Sequence, residues 1–158
     1  LSKSKFSFQY GKIEVSAKLP VGVGTWPAAW MLGDNFTTAG WPACGEIDVM
    51  EHRGNDLNRI HSSLHYPGHS GSNPITATTL IQNATTAFHL YSCEWSPQSI
   101  KFFVDGNLYH TVANTSSLPF NQPFFILLNL AMGGNFGGTI DPAFSSATYE
   151  IDYVRVYQ

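Results

Sequence analysis

The chain has 158 residues, 43% of them hydrophobic and only 12% charged, with a formal net charge of −3. That length carries a real core. The apolar, weakly charged composition excludes a disordered segment, and the lack of any basic cluster excludes an electrostatic footprint for nucleic acid.

Gly (14) and Pro (9) punctuate the chain every ten or so residues, the spacing of short strands and turns. In 12–20, KIEVSAKLP, the residues Ile13, Val15 and Ala17 oppose Lys12, Glu14, Ser16 and Lys18, which predicts a half-buried strand. In 26–33, WPAAWMLG, Trp26 and Trp30 share parity, so at least one can line a cleft; core packing is the competing role. Further strands are predicted at GEIDVMEH (45–52), RIHSSLHY (59–66) and FHLYSCEW (88–95). SIKFFVDG (99–106) and NLYHTV (107–112) meet at Asp105-Gly106, a hairpin signal that Asn107 could lengthen. PFFILLNLAM (123–132) and YEIDYVRVY (149–157) complete the set. No window has a helical period with caps, though a single turn near Pro119 or Pro142 fits.

Repeats, linkers and low-complexity tracts are absent. Many strands, no helices and one core predict an all-β sandwich or jelly roll in preference to a barrel, with 1–158 as a single domain. The chain runs almost at once into a strand, so the expectation is a domain lacking strands at its N-terminal side. No apolar run has the length to cross a bilayer. The opening LSKSKFSFQY has no signal-peptide core, which a mature secreted form would also lack. Cys44 and Cys93 are too few for a metal site and read as buried thiols or as one disulfide. Sequons at Asn35, Asn83 and Asn114 are no more than this composition makes ordinary.

One stretch does not fit a simple strand. WPACGEIDVMEHRG (41–54) places Glu46, Asp48 and Glu51 among Ile47, Val49 and Met50. Strict alternation would put Glu46, Asp48 and Met50 on one face and aim Glu51 into the core. A lone buried carboxylate there is costly. One extra residue at Val49 or Met50, a β-bulge, restores Glu51 to the face of the other two acids. Three acids with no interleaved cation repel one another and raise at least one pKa. Glycoside hydrolysis needs such an arrangement, one carboxylate ionised to attack and one protonated to release the leaving oxygen. A separation of about 5–5.5 Å would give retention through a covalent intermediate. A solvated acidic strand or a calcium site is the alternative, but calcium loops favour Gly, Asn and Asp in irregular backbone.

GEIDVME, together with FSFQYGKIEVSAKLP, GTWPAAWMLG, FHLYSCEWSPQSIKFFVDG, ILLNLAMGG and IDYVRVY, resembles glycoside hydrolase family 16 on its laminarinase and agarase side. The resemblance spans nearly the whole chain. It implies a jelly roll of two stacked antiparallel sheets with Glu46 as nucleophile, Asp48 as its assistant and Glu51 as acid/base. It further implies a secreted enzyme, extracellular or periplasmic, most of all an endo-β-1,3-glucanase that needs no cofactor for catalysis. Agarose, porphyran, carrageenan and mixed-linkage glucan are the other substrates of the same class, and a lectin-like glucan-binding module is the reading from another. Family members usually begin some tens of residues earlier, so a companion segment or chain is the expected source of the remaining strands.

For the rest of the cleft, sugars stack on aromatic rings. Trp41, in a Gly-Pro loop, is the preferred platform, with Trp26 and Trp30 beside it. His65 falls where it can bond Glu51 or a sugar hydroxyl, with a structural hydrogen bond elsewhere as the alternative, and His61 is a weaker candidate of the same parity. Asn129 interrupts an apolar strand and needs partners, either backbone groups or a cleft position near the acids. Phe136 in GGNFGG reads as a mobile aromatic at the cleft rim. By resemblance, Gly11 and Asp152 would hold a structural calcium on the convex side, with a bland surface Asp as the alternative.

Overall fold

The computed structural model describes residues 1–158 and folds them into two facing antiparallel sheets. One sheet comprises β1 (Ser7–Phe8), β3 (Thr25–Gly33), β4 (Glu46–His52), β5 (Arg59–His65), β6 (Ile75–Leu80) and β10 (Phe124–Met132), in the spatial order β1-β10-β3-β4-β5-β6. The other comprises β2 (Gly11–Lys18), β7 (His89–Trp95), β8 (Ser99–Val104), β9 (Asn107–Ala113) and β11 (Glu150–Tyr157), in the order β11-β2-β7-β8-β9. Two single helical turns, α1 (Phe36–Ala39) and α2 (Gly134–Gly137), interrupt the strands. This is the expected all-β jelly roll. The turns at Pro119 and Pro142 are hydrogen-bonded reversals, Leu118 N–H to Thr115 O at 3.1 Å and Phe144 N–H to Asp141 O at 2.9 Å. The helical turns form elsewhere.

Inward-facing residues of both sheets merge into one cluster of 22 buried side chains, among them Ile13, Val15, Ile47, Met50, Tyr91, Phe102 and Phe124. Cys93 belongs to it, whereas Cys44 packs with Leu32 and Phe125 under the loop that carries Trp41; both thiols are free and buried. The Asp105-Gly106 hairpin is a two-residue turn with φ of 50° and 78°, and Val104 pairs Asn107. Asn107 therefore starts the next strand instead of lengthening the loop.

The extra residue in β4 lies where the carboxylates require it. Against β3, Trp30 faces Asp48 and Ala29 faces Met50, which leaves Val49 unopposed. Against β5, Ser63 faces Asp48 and His61 faces Glu51. Val49 and Met50 both point into the core, being 1% and 0% exposed. Two consecutive inward side chains reverse the parity beyond them, and Glu51 returns to the concave face.

Directly paired residues share a face, so the register lays out the concave surface in three rows across the strands. The first is Phe125, Leu32, Glu46, His65; the second is Leu127, Trp30, Asp48, Ser63, Thr76; the third is Asn129, Ala28, Glu51, His61, Thr78. At the sheet margins, β11 pairs only with β2, and β1 covers only Phe124 and Phe125 of β10.

Truncating a core ring tests the shared interior. Phe102→Ala, at a side chain with no exposure, should lower stability by about 3–5 kcal/mol. Urea unfolding should show this as a lower midpoint at an unchanged m-value.

Candidate active site

The concave face holds a cavity of about 650 Å³ whose lining includes Glu46 and Glu51 together with Trp26, Trp41, His65 and Phe136. Each glutamate is held by the indole of a different tryptophan. Trp41 Nε1–H donates to Glu46 Oε2 at 2.7 Å, and Trp26 Nε1–H donates to Glu51 Oε1 at 2.9 Å. One oxygen of each carboxylate is thus engaged as an acceptor, and Glu46 Oε1 and Glu51 Oε2 are left for other partners. Trp41 is 45% exposed, so its ring remains open to a ligand while its N–H is committed.

Asp48 lies between the glutamates and is 3% exposed. His65 Nε2 stands 3.2 Å from Asp48 Oδ2 and 3.8 Å from Glu46 Oε1, ion-pair distances to both. His65 thus turns to Asp48 and Glu46; the sequence reading aimed it at Glu51 or a sugar. One atom each of Glu46, Asp48 and His65 fall within 4.8 Å of one another, a spacing that could hold a metal ion. Mutual use of these groups by the carboxylates accounts for the cluster equally well.

Burial is the main cause of the electrostatics. It lifts Glu46 up to about 8, with Asp48 adding to the rise, while His65 and the Trp41 N–H oppose it. Asp48 is lifted well above the carboxylate range by burial and then by Glu51, against a hydrogen bond with Glu46. Glu51 is raised by burial and restrained by the Trp26 N–H, His65 and the Ser63 hydroxyl. Glu46 and Asp48 lie close enough to titrate as a linked pair, each one's proton depending on the other's state. The Trp41 N–H favours the ionised form of Glu46, while Asp48 is the more deeply buried of the two.

The second wall is aromatic. Phe136, on the one-turn α2, sits 5.2 Å from the Trp26 ring and 5.0 Å from His61, with the Arg53 guanidinium 5.2 Å from its centroid. Burial, then Arg53 and Arg59, lowers His61 to about 4, so it is neutral at pH 7. Trp30 and Asn129 share the concave face but stand outside this cavity. Asn129 is exposed and accepts the Trp30 indole N–H at 2.7 Å, so the buried amide inferred from an apolar strand is in fact a surface pair. Ser63 and Thr76 line the cavity and went unnoticed in the sequence. For Ser63 the signal was available, since it alternates with His61 and His65; for Thr76 it was not, because ITATTL lacks an apolar stripe.

Gly11 and Asp152 do not converge. Gly11 abuts the Tyr157 carbonyl, whereas Asp152 occupies the bulge opposite Ala17 and Ser16 at the other end of the same strand pair. About five residues of strand separate them, roughly 16 Å, too far to share one calcium ion. The concave face, by contrast, brings together Glu46, Asp48 and Glu51.

A family model for glycosyl hydrolases family 16 matches residues 1–155. The chain is 39% identical to a beta-glucanase of Rhodothermus marinus, over its own full length and 60% of that protein. It is 41% identical to a keratan-sulfate endo-1,4-beta-galactosidase of Sphingobacterium multivorum, over 99% of this chain and 39% of that protein. The crystal structure of a laminarinase from Flavobacterium sp. UMI-01 superposes with a TM-score of 0.94 at 46% identity, covering 99% of this chain and 70% of that one. The chain therefore spans 60% and 39% of the length of these two curated relatives.

A carboxyl lifted by folding binds its proton more tightly in the folded than in the unfolded chain. For the linked Glu46–Asp48 pair, full ionisation therefore costs stability as pH rises from the ordinary value near 4.5 to about 8, and the loss persists above that. Glu46→Gln should melt several degrees above the parent chain at pH 9 and level with it at pH 4.5. Thermal denaturation at the two pH values reads this directly.

Proposed function

The chain belongs to glycosyl hydrolase family 16, and from that membership and the paired glutamates we propose that it is a retaining endo-β-1,3-glucanase. Glu46 attacks the anomeric carbon through Oε1, the oxygen that Trp41 leaves free. Glu51 carries its proton on Oε2, because Trp26 occupies Oε1, and delivers it to the departing glycosidic oxygen. In the second half, Glu51 takes a proton from water, the hydroxide oxygen bonds to the anomeric carbon, and Glu46 departs as carboxylate. Asp48, protonated, hydrogen-bonds Glu46 and stabilises its charge as it leaves. The chemistry uses side chains alone.

The observation that carries this reading is the return of Glu51, through the Val49 bulge, to the cavity that holds Glu46. A neutral sugar chain is favoured by the lining, which offers Ser63, Ser72, Thr76 and Asn135 beside aromatic rings. The arginines near the motif are already engaged: Arg59 bonds Asp56 at 2.7 Å, and Arg53 stacks on Phe136 with Asp56 3.8 Å away. The same-family alternative, a galactose-based polysaccharide, keeps its footing in the Sphingobacterium relative. The exposed Trp30–Asn129 pair supports a lectin-like glucan-binding role if turnover is absent.

We place the protein outside the cell or in the periplasm, where such polymers are met; no helix is long and apolar enough to cross a membrane. Along β11 and along β10 beyond Ile126, which bonds Ser2, the strand edges lack partners. A companion segment or chain adding strands there would complete both sheets.

Glu46→Ala and Glu51→Ala should each cut kcat on laminarin by roughly 10²–10⁴-fold, with the far-UV dichroism unchanged. Proton NMR of the first-formed product should show the β anomer. Wild-type release of reducing sugar by either variant would overturn the assignment. Parallel assays on agarose, porphyran, carrageenan, keratan sulfate and mixed-linkage glucan fix the polymer, and calorimetry with laminari-oligosaccharides separates binding from turnover.

A further inference from the structure

Ser63 is buried beside Glu51 and has two acceptors for its one hydroxyl proton. Its Oγ lies 3.4 Å from Glu51 Oε2 and 3.2 Å from Thr76 Oγ1. Thr76 has already committed its own proton, donating to the Ser62 carbonyl at 3.0 Å, so what it presents to Ser63 is a lone pair. Trp26 holds Glu51 Oε1, so the oxygen that gains and loses the proton is the one that faces Ser63.

We propose that Ser63 is a positioning residue whose hydroxyl proton switches between Thr76 and Glu51, following the protonation state of the acid/base glutamate. With Oε2 protonated, that oxygen is a poor acceptor and the Ser63 proton points to Thr76, leaving the glutamic proton free for the glycosidic oxygen. Once Oε2 has given up its proton it becomes the stronger acceptor, because a hydrogen bond to a charged oxygen is about twice as strong as a neutral one. The Ser63 proton then turns to it. The interaction exists only after proton transfer and so lowers the barrier without tightening the ground state. Thr76 makes the switch reversible by giving the proton a place to rest.

The inference rests on the hydrolase reading. The charged and titratable groups around Glu51 are Asp48, Glu46 and, on the other face, His52 of its own strand, Arg53 just beyond it, His61 and His65 on β5, and Tyr109 from the opposing sheet. β3, β6 and α2 contribute none.

Two variants move the system in opposite directions. Ser63→Ala removes the only donor to Oε2, so the ionised glutamate is less stable and the alkaline limb of the kcat/KM profile moves to higher pH. kcat should fall roughly ten- to a hundredfold. Thr76→Val removes the resting place, fixes the Ser63 proton on Oε2, and moves the limb to lower pH. Ser63→Thr keeps a hydroxyl and should restore the parental profile. A packing role would depress activity without moving the limb, and unmoved limbs, or limbs moving the same way, overturn the proposal. Thr76 is exposed, so its variant folds independently of any core damage at position 63. Carbon NMR titration of the Glu51 carboxyl in the three proteins follows the same shifts without turnover. Movement as expected in a protein that cleaves nothing would retain the switch and sink the hydrolase reading. An unmoved carboxyl in an active enzyme would do the reverse.

Discussion

Everything at the concave face depends on one unopposed residue. Without the bulge at Val49, the five-residue step from Glu46 to Glu51 would point these side chains to opposite surfaces. The bulge turns two consecutive residues inward and restores the second glutamate to the groove. Its backbone irregularity is sheltered between β3 and β5 instead of lying at a margin, which is where bulges more often occur. Buried Val49 and Met50 anchor it, since slipping back to regular pairing would expose one of them and bury a carboxylate.

The same burial that stabilises the bulge makes the acids reluctant to ionise. No lysine or arginine neutralises Glu46, Asp48 and Glu51 directly; the compensation comes from two indole N–H groups, an imidazole and a hydroxyl. These partners act on different oxygens, which divides the two glutamates into distinct jobs. A salt bridge would have held both carboxylates permanently charged, whereas neutral donors leave a protonated state within reach of neutral pH. The interior cost is carried by the large core on the far face of β4.

The fold was legible because most strands carry either alternation or a continuous apolar run, and the turns between them carry Gly, Pro or Asp-Gly. β6 escaped because Ile75, Ala77 and Thr79 make too weak a stripe, and β1 because two residues carry no period. The three acids and the bulge could be read from parity, as could Trp26, while Trp41 was read from its Gly-Pro loop. Asn129 misled, because an apolar run such as FFILLNLAM implies burial on both faces, while half-exposed residues follow Ile126. Gly11 and Asp152 were joined by resemblance without geometry, and the register of β11 on β2 separates them. Partnerships such as Ser63 with Thr76 depend on which strands adjoin, and composition does not specify that.

Pinning each glutamate to an indole has an optical corollary. Indole emission responds to charge close to the ring, and here two fluorophores each bond one of the two glutamates on the concave face of β4. The protein thus contains its own spectroscopic reporters of ionisation, one for each carboxylate. Trp41 is open to solvent and to quenchers, whereas Trp26 packs against Phe136, so a soluble quencher acts on the Trp41 signal first, and replacing Trp30 and Trp95 leaves the two reporters alone.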